Sequence, residues 1–348
     1  MSQNIDISLI TNQTINKKDI FKKKEESQSK IVLYDFFSMN EINISKKIKK
    51  IAYFANYFDI VKDYNYINIS DVSDKIIETE EIDEKYVICH YNNDKRIVFQ
   101  NFLLKLPDIK QFILNILNSY SNLLISLNKL NDNNICFFDL KTENIVFSKD
   151  FKPFLKDFKN SLLIFNINET YFKNIVKNVE NYTYKPLEVH VLFYLIANNE
   201  ETLSLSFIEL ICSNFVKNMN VLLLFSQSYR ESYEKICVET LKKYINKSKS
   251  TIINDIIKYN KYWDNYSISI LYLHIIGNIT RVFSLRDTFM NKFTTILTKN
   301  IHPNPLKRET LDETIKNYDQ LFYDFTDWSF INSISKEKIK NLYSFLFN

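Results

Sequence analysis

Four polar side chains near the middle of the sequence have the types and spacing for chemistry on an anionic group. Asp139, Lys141 and Asn144 fall in Cys136-Phe-Phe-Asp-Leu-Lys-Thr-Glu-Asn-Ile-Val-Phe147, and Asp157 follows in Lys156-Asp-Phe-Lys159. A carboxylate accepts a proton from a hydroxyl, and a lysine neutralises developing negative charge. A carboxylate with a carboxamide supplies the hard oxygens that magnesium prefers. Asp139 precedes Asn144 by five positions and Asp157 by eighteen, the separation expected when two strands between them form one tight hairpin.

Asp-Leu-Lys-x-x-Asn followed by Asp-Phe resembles the catalytic loop and metal-binding motif of eukaryotic-type protein kinases. The resemblance implies a two-lobed α+β fold, ATP and Mg2+ as cofactors, and phosphoryl transfer to Ser or Thr of a protein substrate. A lysine two positions after the aspartate is the Ser/Thr form. By resemblance Asp139 orients the hydroxyl and accepts its proton, Lys141 neutralises the moving phosphoryl group, and Asn144 and Asp157 hold magnesium. Tyr184-Lys-Pro-Leu-Glu188, ending 31 positions after Asp157, resembles the Ala-Pro-Glu that closes the activation segment. In the family that glutamate pairs with a late arginine, which matches Arg308 in His302-Pro-Asn-Pro-Leu-Lys-Arg308. Trp263-Asp-Asn-Tyr-Ser-Ile-Ser269 resembles the start of the central helix, whose aspartate, here Asp264, holds the catalytic-loop backbone. Glu41 matches the family's main-helix glutamate, with Lys30, or one of Lys22, Lys23 and Lys24, as its partner beside the nucleotide.

The pattern departs from the family at three places. Phe137 and Phe138 stand where His-Arg is usual, so phosphorylation of the activation segment is not expected to be the switch. Lys159 replaces the glycine after Asp-Phe and adds a cation beside the metal position. The single glycine is Gly277, so the Gly-rich loop over the phosphates is absent in its usual form, and the polar stretch around Asn12 and Asn16 stands in its place. These departures keep a second expectation open, a pseudokinase whose lobes bind a protein client as a scaffold.

The elements that must position these residues follow from periodicity. Ile31–Phe37 reads as a buried strand, and Met39–Phe58 as a helix carrying Ile42, Ile48, Ile51, Phe54 and Phe58. Tyr86–Tyr91 and Arg96–Phe102 read as a hairpin closed by Asn92-Asn93-Asp94. Ile109–Leu130 is a long buried helix, Ile135–Phe165 is rich in strands, and almost everything beyond Pro186 is helical. Strands first and helices later predict an α+β protein, a strand-rich lobe over 1–102 joined to a mainly helical lobe over 103–348. The 76 positions from Glu188 to Asp264 exceed what this junction commonly holds in the family, and predict a helical insert over about 190–260. Lys243–Ser250 reads as a low-complexity linker.

The chain's 348 residues, 45% hydrophobic and 15% aromatic, suffice to bury a large core without disulfides or metals. The net charge of +4 is spread along the length and implies no nucleic-acid partner. Cys89, Cys136, Cys212 and Cys237 lie far apart, which suits buried reduced thiols. No signal peptide or membrane span is visible, so a soluble intracellular protein is expected. Scarce Gly and Pro beside 28 Phe and 22 Tyr is a bias an AT-rich genome gives, with a large DNA virus or an AT-rich protist a natural source and, for a virus, host cytoplasm or virion the matching location. Turns needing positive φ are expected to use Asn or Asp.

Overall fold

The computed structural model describes residues 5–6, 27–67, 85–92, 95–104, 109–178, 183–280 and 288–324. The order begins β1 (Ile5–Asp6), β2 (Ser27–Leu33), α1 (Phe36–Ile48), β3 (Phe58–Asp59), β4 (Asp63–Ile67), β5 (Tyr86–Asn92), β6 (Ile97–Val98), α2 (Phe99–Leu104) and α3 (Ile109–Asp132). It continues through β7 (Ile135–Cys136), β8 (Ile145–Phe147), β9 (Pro153–Lys156), β10 (Leu162–Leu163) and α4 (Glu169–Asn178). Among the described residues it then runs through α5 (Leu187–Ala197), α6 (Leu205–Asn218), α7 (Gln227–Leu241), α8 (Lys249–Ile257), α9 (Trp263–Thr280), α10 (Phe289–Asn300) and α11 (Leu311–Asp324). The fold is α+β, with small mixed sheets and a larger helical part.

One sheet has the antiparallel order β1-β2-β5-β4, with Lys30 opposite Cys89. Ile42 of α1 packs with Val61, Val87 and Cys89, which fixes the helix against this sheet. A second sheet has the order β3-β9-β8-β6, β3 joining β9 in parallel and β8 turning back on β9 as the expected hairpin. Short β7 pairs with β10, Cys136 opposite Leu162, so the chain on either side of the hairpin is drawn together. Through the helical part, α3 and α9 carry the deepest residues: Ile113, Leu123, Leu124 and Leu127 of α3 and Tyr266, Ile268 and Tyr272 of α9 are fully buried. Among the described residues no helix is long and apolar enough to cross a membrane.

Local chemistry redraws several expected boundaries. Asp35 divides the run Ile31–Phe37, because its carboxylate accepts the Ser38 N–H at 2.8 Å while Ser38 Oγ accepts the Asp35 N–H at 3.1 Å. This capping box starts α1 at Phe36 and ends the strand at Leu33. The helix stops at Ile48 and tightens into three-residue turns, so Ile51, Phe54 and Phe58 lie beyond it, Phe58 entering β3 opposite Leu155. The expected hairpin does not form: β5 has β2 on one edge and β4 on the other, leaving none for Arg96–Phe102. Ile97–Val98 instead pairs with β8 and Phe99 opens α2, inside which the boundary at 102 falls. Asn93 and Asp94 lie outside the described residues, as do Asn12, Asn16, Lys22, Lys23 and Lys24. Lys243–Ser250 is packed structure and not a linker, since Ile245 bridges to Leu203, Ser248 caps α8, and buried Lys249 meets Glu169 at 2.9 Å.

Positive φ is not confined to Asn134, Asp157, Asn199 and Asn246; Tyr53, Phe138 and Phe151 also adopt it. Gly277 does not serve a turn. It lies inside α9, where a Cβ would overlap the Leu224 side chain.

Candidate functional site

Asp264, in the first turn of α9, fixes the backbone at the centre of the site. Its Oδ2 accepts the Phe137 N–H at 2.7 Å and its Oδ1 the Phe138 N–H at 2.8 Å. Burial pushes this carboxyl up, and the two backbone N–H groups work against that push. The Asp139 N–H donates back to Phe137 O at 2.7 Å, closing a three-residue turn about Phe138, whose φ is 64°. The turn follows β7, and β10 returns beside it so that Ser161 Oγ donates to Phe137 O at 3.0 Å.

Asp139 is 7% exposed and surrounded by donors. Asn160 Nδ2 donates to its Oδ2 at 3.0 Å, Lys141 Nζ lies 3.3 Å from the same oxygen, and Lys185 Nζ lies 3.6 Å from Oδ1. Asn144 Nδ2 donates to the Asp139 carbonyl at 2.8 Å and reaches Oδ2 at 3.4 Å. Burial alone would raise the carboxyl's pKa, but Lys185, Asn160 and Lys141 together hold it down at about 2. Asp139 is therefore an ionised, oriented acceptor, and Oδ1, with the longer contact, is the oxygen left for a further donor.

Asp157 begins the turn that also carries Asn160, with φ 61° and ψ 72°. Its carboxylate is 30% exposed and Lys159 Nζ stands 3.3 Å from Oδ2. The next residue, Phe158, is fully buried between the rings of Phe137 and Phe58, at centroid distances of 5.2 and 6.0 Å. Asn40 of α1 ties the helix to this turn: its Nδ2 donates to Lys159 O and to Ser161 O, each at 2.8 Å. Tyr171 Oη donates to Asn40 Oδ1 at 2.8 Å and to Ser161 O at 2.7 Å.

That anchor sets Glu41 beside Asp157. Burial, and then the Asp157 charge, push the Glu41 carboxyl up to about 7, against the opposing pull of Lys30, Lys159 and a 3.2 Å hydrogen bond from Tyr91 Oη. Lys30 makes no ion pair with Glu41 among the described residues. Its ammonium lies over the Tyr91 ring, 5.2 Å from the centroid, and the Tyr91 hydroxyl donates to Glu41. The expected pairing is thus indirect.

Glu188, buried at the start of α5, meets Arg308 as a two-pronged ion pair of 2.7 and 3.0 Å. Trp263 Nε1 adds a hydrogen bond to Glu188 Oε1 at 3.1 Å, and Arg308 donates to the carbonyls of His302 and Pro303.

Asp139, Lys141 and Asn144 meet directly, Asp157 joins them through the turn bearing Asn160, and Glu41 lies within the field of both Asp157 and Lys30. Sequence reasoning missed Asn160, Lys185, Tyr91 and Asn40. Asn160 follows Lys159 immediately and Lys185 sits in the quoted Tyr184–Glu188 stretch, so position relative to the motifs was the available signal. Among the described residues no group of three or more His, Cys, Asp or Glu gathers to hold a metal by protein alone. Asn144 and Asp157 offer oxygens of the kind that magnesium takes when phosphate and water complete its shell. Asn144 Nδ2 is committed to Asp139, leaving its Oδ1, and the Asp157 carboxylate carries a negative field strong enough to shift Glu41.

Neither a scan against protein-family models nor a search of curated proteins returns a match for the chain.

Proposed function

We propose that the chain has a two-lobed protein-kinase-like fold and transfers a phosphoryl group from ATP to Ser or Thr of a protein substrate. The observation that carries this reading is the set around Asp139: an ionised, buried carboxylate held by Lys141, Asn144, Asn160 and Lys185 on a backbone fixed by Asp264. Phosphoryl transfer asks little covalent chemistry of a protein, only a positioned hydroxyl and charge where charge develops.

Asp139 accepts the hydrogen bond of the substrate hydroxyl and orients its oxygen. A carboxylate of such low proton affinity takes the proton late, as the hydroxyl oxygen bonds to phosphorus. Lys141, 39% exposed on its side chain, offers its ammonium to the transferring group. Asn144 and Asp157 would hold magnesium, which would supply charge neutralisation to the nucleotide phosphates. Lys30 and Lys159 place two further cations around the Glu41–Asp157 corner.

A scaffold without turnover is favoured by one observation, the ion pair that Lys159 makes with Asp157 at the metal position. Magnesium-dependent ATP turnover with a protein acceptor decides between them. Asp139→Asn and Asp157→Ala are each expected to lose about 100-fold or more in kcat while still folding, Asp157→Ala near the wild-type melting transition and Asp139→Asn below it because buried Lys185 loses its carboxylate. Equal signal from all three proteins ends the enzyme reading.

A further inference from the structure

Lys185 is 2% exposed, and burying an ammonium is costly unless it is paired and hydrogen-bonded. Its neighbours are all parts of the site. The ammonium donates to the Phe138 carbonyl, lies 3.6 Å from Asp139 Oδ1, and sits 4.2 Å from the centroid of the Phe138 ring. The charged and titratable groups around it are Asp139, Asp264, Cys136 and Lys141.

The turn it touches is strained. A hydrogen bond from Asp139 N–H to Phe137 O with Phe138 at φ 64° is the uncommon form of the γ-turn, which persists only where the surroundings over-determine it. Asp264 holds the N–H groups of the turn's first two residues, and Lys185 holds the carbonyl of its central one. The segment bearing Lys185 is itself anchored, because Glu188 three positions later is clamped by Arg308 and Ser267 Oγ donates to Tyr184 O at 2.7 Å.

We propose that Lys185 is a positioning residue of this site: its buried ammonium, bridging the Phe138 carbonyl and Asp139 Oδ1, holds the strained turn that presents the Asp139 carboxylate. This rests on the phosphoryl-transfer reading for its catalytic consequence and on geometry alone for the turn. Of the two cations beside Asp139, Lys185 is internal to the fold, whereas Lys141 is 39% exposed on its side chain. A lysine whose only role was to balance the Asp139 charge would, when replaced by an apolar chain of similar length, cost stability by leaving that carboxylate a cation short, yet leave the turn's backbone as protected as in wild type.

Lys185→Met, Lys185→Arg and wild type are compared by three measurements: steady-state ATP turnover, thermal melting, and hydrogen exchange of the amides of residues 137–139. For Lys185→Met the expected result, in protein that still folds with a lowered melting temperature, is a kcat about 100-fold lower, KM for ATP within about twofold, and exchange at 137–139 about tenfold faster while α9 and α11 are unchanged. Lys185→Arg is expected to recover part of kcat and part of the protection. Wild-type kcat and wild-type exchange in a folded Lys185→Met protein overturn the proposal. Absence of turnover in wild type ends the phosphoryl-transfer reading instead, and the exchange comparison then decides alone whether Lys185 holds the turn. Should Lys185→Met not fold, Lys185→Gln, which keeps a donor but no charge, takes its place under the same criteria.

Discussion

Glu188 and Arg308 are 120 positions apart and meet as a buried, bidentate pair. Arg308→Met would leave Glu188 buried with only the Trp263 N–H, an uncompensated charge that costs about 3–5 kcal/mol. The expected outcome is a lower denaturant midpoint, largely restored in the double variant Arg308→Met, Glu188→Leu because the pair is then replaced by apolar contact. Equal destabilisation in the single and double variants would show the arginine matters for its carbonyl contacts and not for the pair. This pair, the Asp264 clamp and the Asp139–Lys141–Asn144 cluster were expected because motifs resembling those of protein kinases occur in the same chain order and imply those contacts. Asn160, Lys185, Tyr91 and Asn40 were not. An asparagine or lysine in a chain crowded with both carries no mark of burial, and the partners of Asn40 lie 119 and 121 positions away.

Elements were legible where periodicity ran uninterrupted, as in α3, and blurred where one polar residue redirected the chain, as Asp35 does before α1. Turns were the least legible, because with a single glycine in the chain aromatic residues occupy left-handed conformations that composition assigns to Asn or Asp. Burial separates these aromatics. Phe138 is 2% exposed, with Trp263 5.6 Å from its ring, so its packing offsets the strain. Tyr53 is 79% exposed at φ 57° with no capping hydrogen bond from its side chain, so nothing comparable compensates there. A left-handed non-glycine residue costs about 1–2 kcal/mol, and the extra unfolded-state freedom of glycine returns roughly half of that. Tyr53→Gly is therefore expected to stabilise the protein by about 0.5–1 kcal/mol, read as a rise in urea midpoint at constant slope. A fall would mean the ring makes contacts worth more than the strain.

At the scale of the molecule, α+β character was readable from strands preceding helices, whereas the pairing of strands was not, since β5 and β6 are neighbours in sequence yet enter different sheets. Helix α1 bridges the two regions: Ile42 packs toward the first sheet, Asn40 reaches the Lys159–Ser161 turn, and Glu41 is carried between them next to Asp157. This geometry makes global stability depend on pH. Glu41 has a folded pKa of about 7 against 4.5 when unfolded, so between those values the folded chain binds more protons than the unfolded one. Its contribution is thus favourable at low pH and is lost as pH rises from about 4.5 through 7, amounting to about 3 kcal/mol by pH 8. Asp139 acts oppositely and elsewhere: held at about 2 against 3.8, it contributes stability above 3.8 that disappears as pH falls towards 2. His302, pushed down by burial and by Lys307 and Arg308, loses protons on folding just below 6.5 and opposes Glu41 over part of the same range. Comparing wild type with Glu41→Gln removes that background, because His302 titrates in both and glutamine keeps an acceptor for Tyr91. Urea midpoints at pH 5 and pH 8 should show the variant gaining on wild type by most of this 3 kcal/mol at the higher pH, with little difference at the lower. Parallel pH profiles for the two proteins would place the Glu41 carboxylate in contact with a compensating cation, and Lys30 rather than Tyr91 would then be its partner in solution.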